Sequence, residues 1–148
     1  MDKRLYLDDL AVGDVLASKD NRLDAAQIIS FASQFDPQPF HTDPERAQDT
    51  FFRGLAASGW HTMAITMRLI VESVPFAEGI IGAGAEVSWP QPARPGDVLH
   101  VRSEVKEIRA SQSRPDRGIV LVHTLTFNQN EEVLQDLTAK LLAFRKPA

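Results

Sequence analysis

The chain has 148 residues, no cysteine, 43% hydrophobic and 24% charged residues, and a formal charge of −4 at neutral pH. That length suits a core of ordinary size and leaves little room for two, so residues 1–148 are read as a single domain. The missing cysteines exclude disulfides and thiolate chemistry, and the net acidic balance argues against nucleic acid, which needs a concentrated basic surface.

The N-terminal stretch is broken by Asp2, Lys3, Arg4, Asp8 and Asp9, so it lacks the apolar run of a secretory signal. No segment approaches the roughly 20 apolar residues of a membrane helix. A cytoplasmic, membrane-free protein is the expectation.

Val15 to Arg22 reads as a short opening strand. Asp24 then caps a helix, with Gln27 completing a capping box and Leu23 stapling to Ile28. Ile28, Phe31, Ala32 and Phe35 follow at helical spacing and predict one apolar face. The helix is expected to stop at Phe35, because Asp36 precedes a proline. Asp36-Pro37-Gln38-Pro39-Phe40-His41 is read as a loop stiffened by two prolines, and Asp43-Pro44 as the start of a short helix through Gln48.

From Ser58 to Val74 the residues are apolar around most of a helix, including Trp60, Met63, Ile65, Met67, Leu69, Ile70 and Val71. Such a helix is expected to be buried, with Arg68 and Glu72 marking its one solvated strip. Strands follow at Ala85–Trp89, Val98–Ile108, Ile119–Asn128 and Val133–Phe144, the last two joined around Gln129-Asn130-Glu131. Gly79, Gly82 and Gly84 predict a bent strand, or else room for a ligand arm. One apolar helix followed by antiparallel strands without intervening helices is an α+β pattern, a sheet wrapped around a central helix.

Asp36-Pro37-Gln38-Pro39-Phe40-His41-Thr42-Asp43, followed by Ala56-Ala57-Ser58-Gly59-Trp60-His61-Thr62, resembles the MaoC-like dehydratase family, which includes the R-specific enoyl-CoA hydratases. Trp89-Pro90 and Pro95-Gly96-Asp97 are similar to that family's later strand boundaries. The resemblance implies the hot-dog fold, a homodimer with sheets joined edge to edge, and reversible hydration of an enoyl thioester. It implies that Asp36 and His41 are catalytic, holding and activating one water, and that the Gly59 backbone N–H receives the thioester oxygen. Coenzyme A or an acyl carrier protein is then the carrier of an acyl thioester substrate, and no separate cofactor or metal is expected. Gln38 departs from the Asn that many R-specific hydratases carry at this place, which marks a distinct subgroup.

The residue types suit that chemistry. Water addition needs a base for the attacking water, an acid for the α-carbon and a donor for the charge that develops on the thioester oxygen. Two titratable groups sharing a water meet the first two needs. A glycine at a helix start offers an unpaired N–H with no Cβ in the way. Ser58 is expected to cap the helix first and touch substrate second, and Trp60 and Trp89 to line core or pocket. His61 is read as structural or partner-facing, His100 as solvated, and His123 as a core-edge residue on the face of Leu121, Leu125 and Phe127. The histidines lack metal-ligand spacing, and no phosphate loop or serine-hydrolase elbow is present.

Two alternatives stay open at this stage. A thioesterase on the same architecture places an acid on or near the central helix, where only Glu72 stands. A non-catalytic subunit that binds acyl thioesters would need the fold but not the Asp36 and His41 pair.

Overall fold

The computed structural model describes residues 3–148. Helix α1, Ala25–Phe35, begins as its sequence dictates. Asp24 accepts the Gln27 N–H at 2.8 Å, and its own N–H donates to the Gln27 side chain at 3.0 Å. Leu23 and Ile28, on either side of this reciprocal cap, are buried. Asp24→Ala is expected to lower stability by about 1 kcal/mol. Chemical denaturation checks this, and an unchanged midpoint would show that the cap contributes nothing. The predicted apolar face is narrower than expected: Ile28 and Ala32 are buried, but Phe35 is 68% exposed.

Asp36 leaves the helix at φ −154°, ψ 65°, as a residue before proline must. The following segment is not purely loop. Pro39 opens one turn of helix, α2 (Pro39–Thr42), because a proline at the first helical position loses no hydrogen bond. Asp43 caps a second short helix, α3 (Pro44–Ala47), through the Glu45 and Arg46 N–H groups.

Helix α4 runs Gly59–Ser73 and buries His61, Thr62, Ile65, Thr66, Leu69 and Ile70. The expected burial on most sides is not seen in this chain, whose sheet covers only one face of the helix. Trp60 is 61% exposed, Val71 54% and Met67 37%. Arg68 and Glu72 lie on the solvated side as expected, 4.0 Å apart.

Among the described residues six strands form the antiparallel sheet. The predicted first strand is split into β1 (Val15–Ala17) and β2 (Asn21–Arg22), both paired to β4 (Val98–Ala110). β5 (Arg117–Phe127) and β6 (Val133–Phe144) follow, and β3 (Ile81–Ser88) closes the order β1-β4-β5-β6-β3 at the far edge. β3 starts at Ile81, ahead of the predicted Ala85, and its register to β6 shifts between Gly82 and Gly84. A Cβ at either glycine would meet nothing within 4 Å, so these residues mark a bulge that bends the strand. The sheet curves around α4 in the hot-dog arrangement, an α+β fold.

On β5 the inward residues are Val120, Val122, Thr124 and Thr126, all buried. His123 therefore stands on the outer face with Leu121 and Leu125, where its Nε2 lies 2.8 Å from Asp136 Oδ1. The expected core edge was the wrong side of the strand. His100 is less solvated than expected, being stacked on Phe127 at 5.3 Å.

Candidate active site

The end of α1, the α2 turn and the start of α4 converge. Ala56 draws them together, its N–H donating to Phe40 O at 3.0 Å while its own oxygen accepts from His41 Nδ1 at 2.6 Å. A carbonyl only accepts, so Nδ1 carries the proton, and the working nitrogen of a neutral His41 is Nε2. His41 is 5% exposed, and this bond fixes its ring.

Asp36 Oδ2 faces that nitrogen at 3.3 Å. Its other oxygen accepts from Gln38 Nε2 at 2.5 Å. Burial pushes the carboxyl pKa upward, but hydrogen bonds from Gln38 and Ser58 and the charge of His41 outweigh it, leaving the group below its ordinary 3.8. Asp36 is thus an anion at neutral pH. Its charge stabilises the fold above about pH 3.8, and that contribution disappears as pH falls through the depressed native value.

A protonated Nε2 donates directly to Asp36 Oδ2; when the ring is neutral both atoms are acceptors, and a donor between them satisfies both. A water giving one hydrogen to each, at about 2.8 Å and a near-tetrahedral angle, holds two acceptors roughly 4.5 Å apart. The pair must part by about an ångström to admit it. With both hydrogens engaged, the water presents its lone pairs outward.

A cavity of about 360 Å³ is bounded by His41, Gly59, Thr62, Trp89, Phe52 and Pro92, with Phe51 also on its wall; Asp36 stands behind His41 and does not line it. Phe51 is 91% exposed and stands at the rim. Gly59 opens α4, and its N–H has no protein acceptor among the described residues. A Cβ on Gly59 would sit 2.8 Å from the Trp89 ring. The glycine expected to spare room for a substrate is demanded by the protein's own indole.

Ser58 is fully buried and caps α4, accepting the Trp60 N–H at 3.2 Å. The capping role expected for it is present, together with the influence on Asp36. Trp60 does not line the cavity with Gly59; it stands outside and meets Trp89 edge-on at 5.7 Å. Trp89, for which core or pocket is equally expected, does line the cavity, whereas residue 60 projects from the uncovered face of α4. His61 is buried against Phe31, stacked at 4.6 Å, and burial lowers its pKa. Sequence reading missed the Phe51, Phe52 and Thr62 walls and the Ala56 oxygen; only the Phe51-Phe52 pair offered a visible signal.

Glu72, the acid on which a thioesterase reading depends, stands at the other end of α4. It pairs with Lys19 at 3.0 Å and borders a separate concavity with Lys3 and Arg4. No described helix is long and apolar enough to cross a membrane, and among the described residues no cluster of three His, Cys, Asp or Glu could hold a metal.

Residues 10–126 match the family model described as MaoC like domain. The uncharacterized protein YdeM of Bacillus subtilis is 35% identical over 130 residues, 86% of this chain and 90% of that one. A crystal structure of a MaoC-like dehydratase from Rhodospirillum rubrum superposes with TM-score 0.96 at 59% identity, covering 97% of this chain and 99% of that one. An (R)-hydratase from A. caviae involved in PHA biosynthesis gives TM-score 0.71 at 25% identity, covering 93% and 98%.

Proposed function

The chain belongs to the MaoC like domain family, a hydratase and dehydratase family, and from that premise we propose that it reversibly hydrates an enoyl thioester carried by coenzyme A or an acyl carrier protein. The observation that carries this is the 3.3 Å approach of Asp36 Oδ2 to a His41 ring already fixed through Nδ1, beside a cavity that also reaches Gly59. The water oxygen attacks the β-carbon, and the double-bond electrons move towards the thioester oxygen, which accepts from the Gly59 N–H. The proton released by the water is taken up by the pair and returned to the α-carbon, so one water adds across the bond. In the reverse direction the same groups remove it.

Purified protein incubated with crotonyl-CoA tests the reaction class. Loss of the conjugated absorbance without free thiol is expected. Thiol release would mean a thioesterase, and neither change with any enoyl-CoA would leave a binding subunit.

A second copy of the chain belongs to the same proposal. Trp60, Met67 and Val71 form an exposed apolar strip on α4, and among the described residues β3 ends the sheet with an unpaired edge, a feature proteins cover or pair. The expected mass in solution is twice 16.4 kDa. Val71→Glu combined with Met67→Glu is expected to shift light scattering towards the single-chain value; a wild-type protein already at that value contradicts the dimer.

A further inference from the structure

One buried polar group has no part in the chemistry above. Gln135 on β6 is fully buried, and its side-chain oxygen accepts the Trp89 indole N–H at 2.9 Å. An indole N–H can only donate, so the amide orientation is forced: oxygen towards Trp89, NH2 away from it. Among the described residues that NH2 finds no acceptor.

A polar track runs through this point. Thr62 lies in the cavity wall. One turn further along α4, Thr66 Oγ1 is 2.6 Å from Thr126 Oγ1. Thr126 is the cross-strand partner of Gln135, and Gln135 leads back to Trp89, again in the cavity wall. Thr66, Thr126 and Gln135 are all 0% exposed. Thr62 and Trp89 line the cavity whereas Thr66, Thr126 and Gln135 do not, so the unpaired donor lies behind the cavity wall, and a ligand reaches it only by parting that wall.

Resting on the hydratase reading, we propose that Gln135 selects the acyl group: its Nε2 donates to an oxygen that the acyl chain carries beyond the reacting carbons. The preferred thioesters then bear a hydroxyl, carbonyl or carboxylate at that end. A plain alkyl terminus leaves the amide donors buried and unpaired, and a site built to hydrogen-bond an oxygen discriminates strongly against an analogue lacking one.

The test is hydration of length-matched enoyl-CoA thioesters ending in an alkyl, a hydroxyl or a carboxylate group. Wild-type kcat/KM is expected to be at least about tenfold higher for an oxygen-bearing end. Gln135→Met is expected to erase that preference, whereas Trp89→Phe, which keeps the amide donors, retains it whatever happens to absolute rates. Equal rates or an alkyl preference in the wild type overturn the proposal, and this arm decides even if Gln135→Met fails to fold. An equal loss on all three substrates in Gln135→Met also overturns it, leaving Gln135 as a support for Trp89 alone. Affinities for the three saturated thioesters, followed by tryptophan fluorescence, separate the two readings. An oxygen preference in binding without turnover keeps the acyl-group inference and rejects hydration; turnover without preference does the reverse.

Discussion

Asp36→Asn is expected to lower enoyl-thioester hydration by at least about 10²-fold, and His41→Ala by a similar factor. Asn keeps the shape and can still bond Gln38 but cannot take a proton from water. Alanine at 41 removes the ring whose Nδ1 bonds to Ala56 O, so circular dichroism must first show that the variant is folded. Because the two groups act on one water, the double variant is expected to lose little more than either single one. A folded Asp36→Asn protein with near-normal turnover removes that carboxylate from the chemistry. Since the Asp36 pKa lies below 3.8, a rate that declines between about pH 5 and 7 cannot be assigned to protonation of this residue.

Gly59→Ala has the second large effect, and for a reason visible only in three dimensions. The new Cβ would lie 2.8, 2.9 and 3.0 Å from three atoms of the Trp89 ring, and that ring is anchored by its N–H to Gln135. The indole cannot slide aside freely, so the start of α4 has to move. Overpacking of this kind costs roughly 1–3 kcal/mol of stability, and displacing an oxyanion donor costs about 10²–10³ in rate. Combining Gly59→Ala with Trp89→Leu is expected to restore stability first and part of the rate with it. A folded, fully active Gly59→Ala protein would show that the clash with Trp89 is absorbed without displacing the amide.

Elements specified by neighbours in the chain are legible in the sequence. The Asp24 and Gln27 cap, the end of α1 ahead of Pro37 and the Ser58 start of α4 each depend on a few adjacent residues, and all are present. The pairing of Asp36 and His41 is implied by the resemblance of the Asp36–Asp43 segment to the family, with the two prolines leaving the intervening chain little freedom. Features set by distant parts of the chain were hidden. The Ala56 oxygen that orients His41 is backbone and has no letter of its own. The contact between Trp89 and Gly59 joins an edge strand's end to a helix start. Alternation on β5 separates two faces but does not say which is inward, and the Leu121 and Leu125 side looked more apolar than the Thr124 and Thr126 side that the core receives. Trp60 was misplaced for a related reason: an apolar helix says that it will be covered, while one chain's sheet covers only one of its faces.

A crystal structure of the protein with a bound, unreactive saturated acyl-CoA tests the geometry of the shared water. One water is expected within hydrogen-bonding reach of both Asp36 Oδ2 and His41 Nε2, about 2.6–3.2 Å from each, with the two atoms spread beyond their present 3.3 Å. The thioester oxygen is expected about 2.7–3.1 Å from the Gly59 nitrogen. A thioester bound elsewhere, or one seated in this cavity with its carbonyl turned from Gly59 and no water between the carboxylate and the imidazole, would contradict it.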